Sequence, residues 1–599
     1  MSVGERDLDF DREALREKYR IERDKRLRED GEAQYLELKG RWAKFVDEDP
    51  YVEPGFTREP VAAEVDVAII GGGFSGMLAA ARLQERGITD IKIIEAGGDF
   101  GGTWYWNRYP GAQCDIDSYC YLPLLEELNF VPKEKYSFSD EIFEHSQRIG
   151  HAYGLYERTL FQTRVRAIEW DQASSRWQLR TNHDDRLRAR FVVMALGSAS
   201  RPKLPGIPGI DEFEGVAFHT SRWDYGYTGG NLHGGMSGLA DQRVAIIGTG
   251  ATGIQAIPRV AQYAQHLYVF QRTPSSVDLR RNAPTDPEWA ASLPPGWQRE
   301  RRENFGAIAI GHSVEKDLVD DSWTRIFRDV LTVPKTGRRY SNEEKAELLE
   351  LGDFRKMEEI RRRVDETVMD SATAEALKPW YRQMCKRPTF NDEYLPAFNR
   401  ENVTLVDVSA SKGVERITSR GVVANGVEYE VDCIVYASGF EIATDFRRRV
   451  DMAIEGRDGV SLFDHWADGW KTLHGFSSRG FPNWFYIGVS QNAFSTNMTA
   501  MFDDQSQHIA YIVDETLRRG HATVEPAQDA QDAWVAEIVG MQAANRSFME
   551  SCTPGYYNNE GSPRSAVFGG YTKGINAFNQ MLEDWRDAGD LKGMEFDRP

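Results

Sequence analysis

The sequence predicts an α/β protein with two Rossmann-like dinucleotide-binding domains, a helical insertion and an N-terminal helical extension. A β-branched strand followed by a glycine-rich turn occurs twice, as VAIIGGGFSG from Val67 and as VAIIGTGATG from Val244. Two charge-rich stretches with helical spacing, 1–60 and 286–370, lie outside these units. The 599 residues exceed what one hydrophobic core usually supports, so several domains are expected.

These patterns divide the chain into segments. The predicted segments are the N-terminal extension at 1–60, the first dinucleotide-binding domain at 61–210, the second at 211–285, the helical insertion at 286–370, a return to the second domain at 371–395, and a return to the first domain with C-terminal helices at 396–599.

The N-terminal extension is dense in Arg, Glu, Asp and Lys, and Leu15, Tyr19 and Leu27 recur at loosely helical spacing. This pattern is typical of surface helices. We therefore expect a solvated helical extension that packs on the main body. The alternative is a segment that covers part of the active-site entrance.

The remaining elements follow from hydrophobic periodicity. The helix MLAAARLQERG and the strand IKIIEA complete the first unit, and the helix IQAIPRVAQ and the strand LYVFQRT complete the second. Alternating residues between the units predict a β-meander. The insertion contains the helical stretch KAELLELGDFRKMEEIRRRVDETV, and strands such as VTLVDV, VEYEVDCIVYASGF and WFYIGV precede long helices at 499–545.

Composition narrows the function. A net charge of -20 argues against a nucleic-acid partner. We find no apolar run that could span a bilayer and no apolar signal core near the N-terminus, so a cytoplasmic location without a membrane partner is expected. The five Cys are widely spaced without a C-x-x-C pair. They predict unpaired thiols in a reducing compartment, with neither a metal site nor a redox dithiol.

The first glycine motif predicts an adenine-dinucleotide site. Gly71, Gly73 and Gly76 form G-x-G-x-x-G between a strand and a helix. Such glycines permit the turn, the approach of a pyrophosphate and close helix packing. Glu95 ends the next strand, where a carboxylate binds a ribose that carries a free 2′-hydroxyl. The site therefore suits FAD or NAD.

A second glycine segment, GGTWYWNRYPGAQCD, follows this strand. Gly102 allows close approach of the backbone, Thr103 follows it, and Trp104 and Tyr109 can pack against a planar ring. Asp115 ends the segment. We include all five residues in the predicted cofactor site.

The second G-x-G-x-x-G motif is followed by a basic residue where the first is followed by an acidic one. Gly248, Gly250 and Gly253 repeat the glycine spacing, but Arg272 and Thr273 stand where the first unit has its acidic residue. An arginine there can hold a 2′-phosphate with two hydrogen bonds, which favours NADP. One FAD and one NADPH on one chain predict a flavin-dependent oxidoreductase. The missing C-x-x-C excludes a disulfide reductase.

Two long motifs resemble the signatures of type I Baeyer–Villiger monooxygenases. FEGVAFHTSRWD matches F-x-G-x-x-x-H-x-x-x-W-[P/D], and GGTWYWNRYPGAQCD matches [A/G]-G-x-W-x-x-x-x-[F/Y]-P-[G/M]-x-x-x-D. The resemblance covers roughly residues 65–510. In FEGVAFHTSRWD the matched positions are Phe213, Gly215, His219, Trp223 and Asp224.

The resemblance implies an enzyme that uses NADPH, FAD and O₂ to insert one oxygen atom beside a ketone carbonyl, giving an ester or lactone. It assigns to His219 a linker that couples domain motion to cofactor position. It makes Arg387 the catalytic arginine, Asp115 the carboxylate that orients it, and Lys386 an aid to 2′-phosphate binding. Arginine suits this role because its charge is retained near neutral pH.

The chain departs from the family near its C-terminus. Many relatives carry there a Trp that contacts the nicotinamide ribose, whereas this chain reads SCTPGYYNNEG, so Tyr556 or Tyr557 is the candidate substitute. The resemblance also predicts a substrate pocket, with the four candidate wall residues Gln491, Asn492, Ala493 and Phe494. The long N-terminal extension is similar to that of the subgroup acting on macrocyclic, polycyclic or steroid ketones, although extensions also serve stability.

Two other functions stay open. An N- or S-oxygenating flavin monooxygenase shares the fold and cofactors but usually lacks the Trp223–Asp224 ending and the Arg387 segment. A non-catalytic flavoprotein that senses NADP would not need the Arg387–Asp115 pair. Among oligomeric states a monomer is favoured.

Overall fold

The computed structural model describes residues 10–197, 199, 201–333 and 340–597. Two parallel-rich sheets form its centre. The first contains the strands Ala453–Glu455, Val165–Asp171, Arg176–Thr181, Arg186–Met194, Ala62–Ile70, Ile91–Ile94 and Thr159–Leu160 in that order, with Trp484–Tyr486 also paired to Arg186–Met194. The meander expected after the first unit is present as the antiparallel strands of this sheet.

The second sheet is entirely parallel. Its strands, in order, are Val403–Asp407, His266–Gln271, Arg243–Ile247, Cys433–Tyr436 and Val216–His219. The second domain thus takes up two strands from 396–599, a segment that the sequence division gave to the first domain. An apolar run such as CIVY predicts a buried strand but carries no information about which of two sheets it joins.

In both sheets the strand that precedes the glycine turn is buried in the core. Val67, Ile69 and Ile93 are fully buried in the first sheet, and Val244 and Ile246 are fully buried in the second. Each such side chain contributes about 1.5–3 kcal/mol relative to an exposed one. The strand ends that hold the glycine turns are therefore firmly positioned.

Helices surround the sheets. Those of the two glycine units are Phe74–Glu85 and Ala251–Val260. The insertion consists of Pro287–Ala291, Trp297–Ala309, Ser322–Leu331, Asn342–Thr367 and Ser371–Leu377. The longer C-terminal helices are Met498–Arg518, Gln528–Gly540, Ala543–Ser551 and Ile575–Ala588, and a hairpin pairs Thr523–Pro526 with Met594–Asp597.

The N-terminal extension is held to the body by packing and by one strand pair. Its helix Arg12–Arg26 begins at Asp11, whose carboxylate accepts hydrogen bonds from two backbone amides of the first turn. Leu15 and Tyr19 of this helix pack against Phe354 of the insertion. Further along, Tyr35–Leu36 pairs with Leu204–Pro205.

No helix in the described part of the chain combines the length and the apolar character that crossing a membrane requires.

Candidate dinucleotide and oxygenation site

The first glycine turn is sterically closed to larger residues. A Cβ at Gly71 would collide with the carbonyl oxygen of Ala195, and one at Gly76 with the carbonyl oxygen of Gly71. Gly73 precedes the helix Phe74–Glu85 and touches the second glycine segment, because a Cβ at Gly102 would lie 2.8 Å from its Cα. The two segments singled out in the sequence therefore meet at one place.

Glu95 closes this turn from the neighbouring strand. Its buried carboxylate accepts hydrogen bonds from the amides of Gly72 at 2.5 Å and Gly97 at 2.6 Å. Burial raises the pKa of Glu95, and the hydrogen bonds from the Gly97 and Gly72 amides oppose that shift. Ribose hydroxyls that donate to this carboxylate would further favour its charged form.

An open cleft lies over the first turn. Gly71, Gly73, Glu95, Gly102, Thr103 and Trp104 line it, together with the cationic side chains of Arg164, Arg166, Arg201, Arg222 and Arg449. Glycine backbone, a ribose-binding carboxylate and several cations are the chemistry that holds a dinucleotide such as FAD. Sequence reasoning missed these arginines, and only Arg222 lies within a motif that it quoted.

The second glycine turn has the same close packing at its last glycine but more open space at its middle glycine. A Cβ at Gly253 would collide with the carbonyl oxygen of Gly248, whereas nothing lies within 4 Å of a Cβ built on Gly250. Gly250 precedes the helix Ala251–Val260, so open space stands above backbone amides that point outward. This is the geometry in which a pyrophosphate reaches a helix N-terminus.

Arg272 directly follows the next strand, His266–Gln271, and lies within a group of charged side chains. Its guanidinium contacts the carboxylate of Glu560 at 3.1 Å and donates to the side-chain oxygen of Gln34 at 2.5 Å. Thr273 beside it is buried, and its hydroxyl has no hydrogen-bond partner. A cationic pocket with an unsatisfied hydroxyl fits a phosphate group of NADP.

Lys386 belongs to the same charged group. Burial, and then the nearby charge of Arg272, lower the pKa of Lys386 to about 8. Its ammonium group thus changes charge close to physiological pH, and a bound anion would restore its proton.

The Arg387 guanidinium donates to the carboxylate of Asp115 at 2.5 Å. Burial opposes the charge of Arg387, but the neighbouring Asp115 outweighs it, and the pKa of Arg387 is raised. The indole ring of Trp323 lies 5.7 Å from the guanidinium carbon, and the guanidinium Nε is buried without a partner. A permanent cation with an unused donor is thus fixed at this position.

Aromatic residues of the C-terminal segment lie beside this cation. Tyr556 and Tyr557 pack edge to face with their ring centroids 4.7 Å apart, and both interact electrostatically with Arg387. The segment that lacks the expected Trp therefore lies near Arg387.

One prediction about the cysteines was wrong. Cys385 and Cys552 form a disulfide across 167 residues, which joins the Lys386–Arg387 segment to the Tyr556–Tyr557 segment. The absence of a C-x-x-C pair excludes only a local dithiol, because residues distant in sequence can be neighbours in the fold. Cys114, Cys120 and Cys433 are free and buried.

The motif FEGVAFHTSRWD links the second sheet to the cleft. Its edge strand ends at His219, which contacts the hydroxyl of Ser221 at 2.8 Å and the carbonyl oxygen of Gly439 at 3.1 Å. Burial, followed by the charge of Arg222, lowers the pKa of His219 to about 3, so the imidazole is neutral. Arg222 lies over the ring of Trp106, 3.7 Å from its centroid.

The other motif positions are structural supports. Gly215 is packed too closely for a side chain, between the ring of Phe213 and the Asp432 carbonyl oxygen. Trp223 is buried and donates to the Thr228 hydroxyl at 3.1 Å. Asp224 accepts from the Tyr227 amide and begins a short helix.

Tyr109 joins the two units. Its hydroxyl donates to the side-chain oxygen of Gln255 at 2.8 Å, and Gln255 lies on the helix after the second glycine turn. Tyr109 does not line the cleft over the first turn.

The four predicted pocket residues have different environments. The side-chain amides of Gln491 and Asn492 are buried and bonded to neighbouring backbone groups such as the carbonyl oxygens of Trp470 and Gly488. Ala493 is fully buried, and Phe494 is 52% exposed. Phe494 is the one member of this set that presents a large apolar surface to the solvent.

Comparison with known proteins places this geometry among characterised relatives. Residues 65–283 match the family model of pyridine nucleotide-disulphide oxidoreductases. The chain is 49% identical to the Baeyer-Villiger monooxygenase ATR8 of Stachybotrys chlorohalonatus, covering 99% of this chain and 96% of the relative. It is also 49% identical to neopentalenolactone D synthase of Streptomyces avermitilis, covering 98% and 99%.

Solved structures with a similar fold include a member of the same family. The polycyclic ketone monooxygenase of Thermothelomyces thermophila superimposes with a TM-score of 0.90 at 37% identity, covering 98% of this chain and 99% of that one.

Proposed function

The chain belongs to the Baeyer–Villiger monooxygenases, which use FAD and NADPH, and from this premise we propose that it converts bulky polycyclic ketones into esters or lactones. The balanced reaction consumes a ketone, O₂, NADPH and a proton, and it releases the ester, NADP⁺ and water. The Arg387–Asp115 ion pair, with 2.5 Å between guanidinium and carboxylate, is the observation that carries the proposal.

The protein's part in this chemistry is electrostatic. Bound NADPH supplies a hydride, and bound FAD supplies the ring at which O₂ is activated. The guanidinium of Arg387 stabilises negative charge that develops on oxygen, and Asp115 holds the guanidinium in one orientation. The Asp115 side chain is 11% exposed and the Arg387 side chain 36%, so water screens the interaction of this pair with a developing anion only in part.

The remaining assignments concern the cofactors. Glu95 and the first turn hold the FAD ribose and pyrophosphate, and the cationic side chains of the cleft, such as Arg164 and Arg201, balance the phosphate charge. Arg272, Thr273 and Lys386 hold the 2′-phosphate of NADPH. Tyr556 and Tyr557 take the place of the Trp that many relatives have near the nicotinamide ribose.

The preference for bulky ketones rests on two observations. A polycyclic ketone monooxygenase covers 98% of this chain, including its extension. Phe494 offers an exposed aromatic surface of the kind that packs against large apolar substrates.

A ketone panel tests the function. The FAD-loaded enzyme receives NADPH, ¹⁸O₂ and ketones that range from cyclohexanone to steroids, and products are identified by mass. We expect one labelled oxygen atom in each ester, with higher kcat/KM for the polycyclic ketones. Oxidation of an added thioether without any ester from the panel would instead identify an S-oxygenating enzyme.

We also propose a monomeric cytoplasmic enzyme. The described chain exposes few large apolar side chains, such as those of Ile21, Met369 and Val460, and exposed apolar surface is what a partner subunit usually covers. The three free thiols suit a reducing compartment, whereas the Cys385–Cys552 disulfide does not. Light scattering gives the oligomeric state, and alkylation of thiols in freshly lysed cells shows whether these two cysteines are paired in the cell.

A further inference from the structure

Glu560 is a buried carboxylate in the charged group that surrounds Arg272. It is 5% exposed, and its two oxygens are used separately. One contacts Arg272 at 3.1 Å, while the other accepts from the Tyr35 hydroxyl at 3.1 Å and lies 4.0 Å from the ammonium of Lys203. Burial opposes the charge of Glu560, but the cations Arg272, Lys203 and Lys386 outweigh it and hold its pKa below the usual value.

The chain places this carboxylate by an unusual backbone. Asn559 and Glu560 both have left-handed φ angles, 51° and 55°. Each such conformation costs a non-glycine residue roughly 1 kcal/mol or more. Asn558 stabilises the turn by accepting hydrogen bonds from the amides of Gly555 at 3.0 Å and Gly561 at 3.1 Å. A turn maintained against its local preference points to a specific role for the side chain that it presents.

The N-terminal extension completes the same group. Gln34 accepts from the Arg272 guanidinium, and Arg26 donates to the Arg272 carbonyl oxygen at 2.9 Å. Arg564, four residues after Glu560, pairs with Glu32 at 2.9 Å. The extension and the C-terminal segment therefore meet at the residue assigned to the 2′-phosphate.

We propose that Glu560 interacts with the 2′ position of the nicotinamide dinucleotide. When a 2′-phosphate binds, it replaces Glu560 as the partner of Arg272; when a 2′-hydroxyl binds, Glu560 accepts a hydrogen bond from it. A phosphate has more charge and more acceptor oxygens than a carboxylate, so it competes successfully for the cations. A carboxylate at this end of the site is the group that dinucleotide-binding folds use for a free ribose hydroxyl. Glu560 thus weakens binding of NADP and supports binding of NAD, which narrows the preference between them.

The inference rests on the proposed role of Arg272, and binding measurements separate the two. Affinities of NADP⁺ and NAD⁺ are measured by calorimetry on the oxidised, FAD-loaded enzyme. In Glu560→Gln we expect tighter NADP⁺ binding and weaker NAD⁺ binding, with the ratio of the two dissociation constants shifted by about tenfold, equivalent to about 1.4 kcal/mol. A residue that only maintains the fold would change both affinities in the same direction, and that result, or no change, would overturn the proposal.

Two variants control the interpretation. Tyr35→Phe removes one hydrogen-bond donor from Glu560 but keeps its charge and frees one oxygen, so it should shift the ratio in the opposite direction by a smaller factor, which keeps the proposal testable if Glu560→Gln folds poorly. Glu32→Gln removes the charge from one of the contacts between the extension and the C-terminal segment without changing a residue that contacts Arg272, so the ratio should stay as in the parent. A shift in Glu32→Gln as large as that in Glu560→Gln would also overturn the proposal.

Arg272→Ala tests the underlying site. It should weaken NADP⁺ binding at least tenfold and leave NAD⁺ binding nearly unchanged, since only the former has the 2′-phosphate. Unchanged NADP⁺ affinity in this variant would refute the site assignment itself, a result distinct from failure of the Glu560 variants.

Discussion

Single side chains decide the chemistry of this site through charge. Arg387 and Asp115 come from segments 272 residues apart, yet their charged groups lie 2.5 Å from each other. Asp115 ends one of the two family motifs, and the resemblance to the family assigned the role of Arg387. No such pattern contains Glu560, which lies 288 residues from Arg272, or Gln34, which lies 238 residues from it. Contacts between residues so distant in sequence follow from the fold and are invisible to local spacing.

Loss of the Arg387 charge should stop oxygenation without removing the flavin. In Arg387→Ala we expect ester formation to fall by about 10²–10³-fold or more, because a positioned donor to a developing anion is lost. FAD absorbance and NADPH oxidation in the absence of ketone report that the cofactor sites survive. Arg387→Lys keeps a positive charge and serves as the matched variant. Normal ester yield in Arg387→Ala would remove the proposed role.

Lys386 should make NADPH binding depend on pH. Since the pKa of Lys386 is lowered to about 8, its charge is mostly present at pH 7 and mostly absent at pH 9. The KM for NADPH should therefore rise as the pH increases through about 8, by up to about tenfold, while the KM for NADH stays flat. Arginine remains charged over this range, so Lys386→Arg should flatten the NADPH profile. An equal rise for both nucleotides would exclude Lys386 as the cause.

At the scale of elements, the two strand–turn–helix units were predictable because glycine spacing and buried β-branched strands are local signals. The assignment of strands to sheets was not predictable from the sequence. The strand Cys433–Tyr436 shows the reason. This strand lies between Arg243–Ile247 and Val216–His219, although it follows the helical insertion in sequence. Its pairing depends on chain crossovers rather than on its own residues.

The two glycine turns should respond differently to the same substitution. Gly76→Ala places a methyl group against the carbonyl oxygen of Gly71, so the first turn must distort and FAD should be lost. Gly250→Ala enters open space, so the protein should fold and retain FAD while NADP⁺ binds more weakly. Flavin absorbance after gel filtration and calorimetry with NADP⁺ measure the two effects. A flavin-free Gly250→Ala protein would contradict this distinction.

At the scale of the whole molecule, three distant parts of the chain converge on the nucleotide sites. The N-terminal extension reaches Arg272 through Arg26 and Gln34, and the C-terminal segment reaches it through Glu560. The sequence predicted an extension that packs on the body, and the packing of its helix on Phe354 agrees with that. The extension also contacts Arg272, and the alternative of a segment that covers part of the active-site entrance stays a prediction.

Reduction of the Cys385–Cys552 disulfide should lower thermal stability. The bond closes a segment of 167 residues, and loop-closure entropy sets an upper limit of roughly 5 kcal/mol on its contribution. We expect a lower Tm with a reducing agent and in Cys552→Ser. Cys433→Ser, at a free buried cysteine, keeps the disulfide and should respond to the reducing agent as the parent does, whereas the Tm of Cys552→Ser should not depend on it. An identical Tm of the parent with and without reductant would mean that the bond does not contribute.

The meeting of extension and C-terminal segment at one arginine also limits how this protein can be recombined with its relatives. Glu32 and Arg564 form one ion pair across it, and Tyr35 and Glu560 form one hydrogen bond. A chimera that inherits the two ends from different parents keeps both contacts only where the parents have the same residues at these four positions. If Glu560 has the proposed role, an exchange of nucleotide preference between homologues should include both ends of the chain.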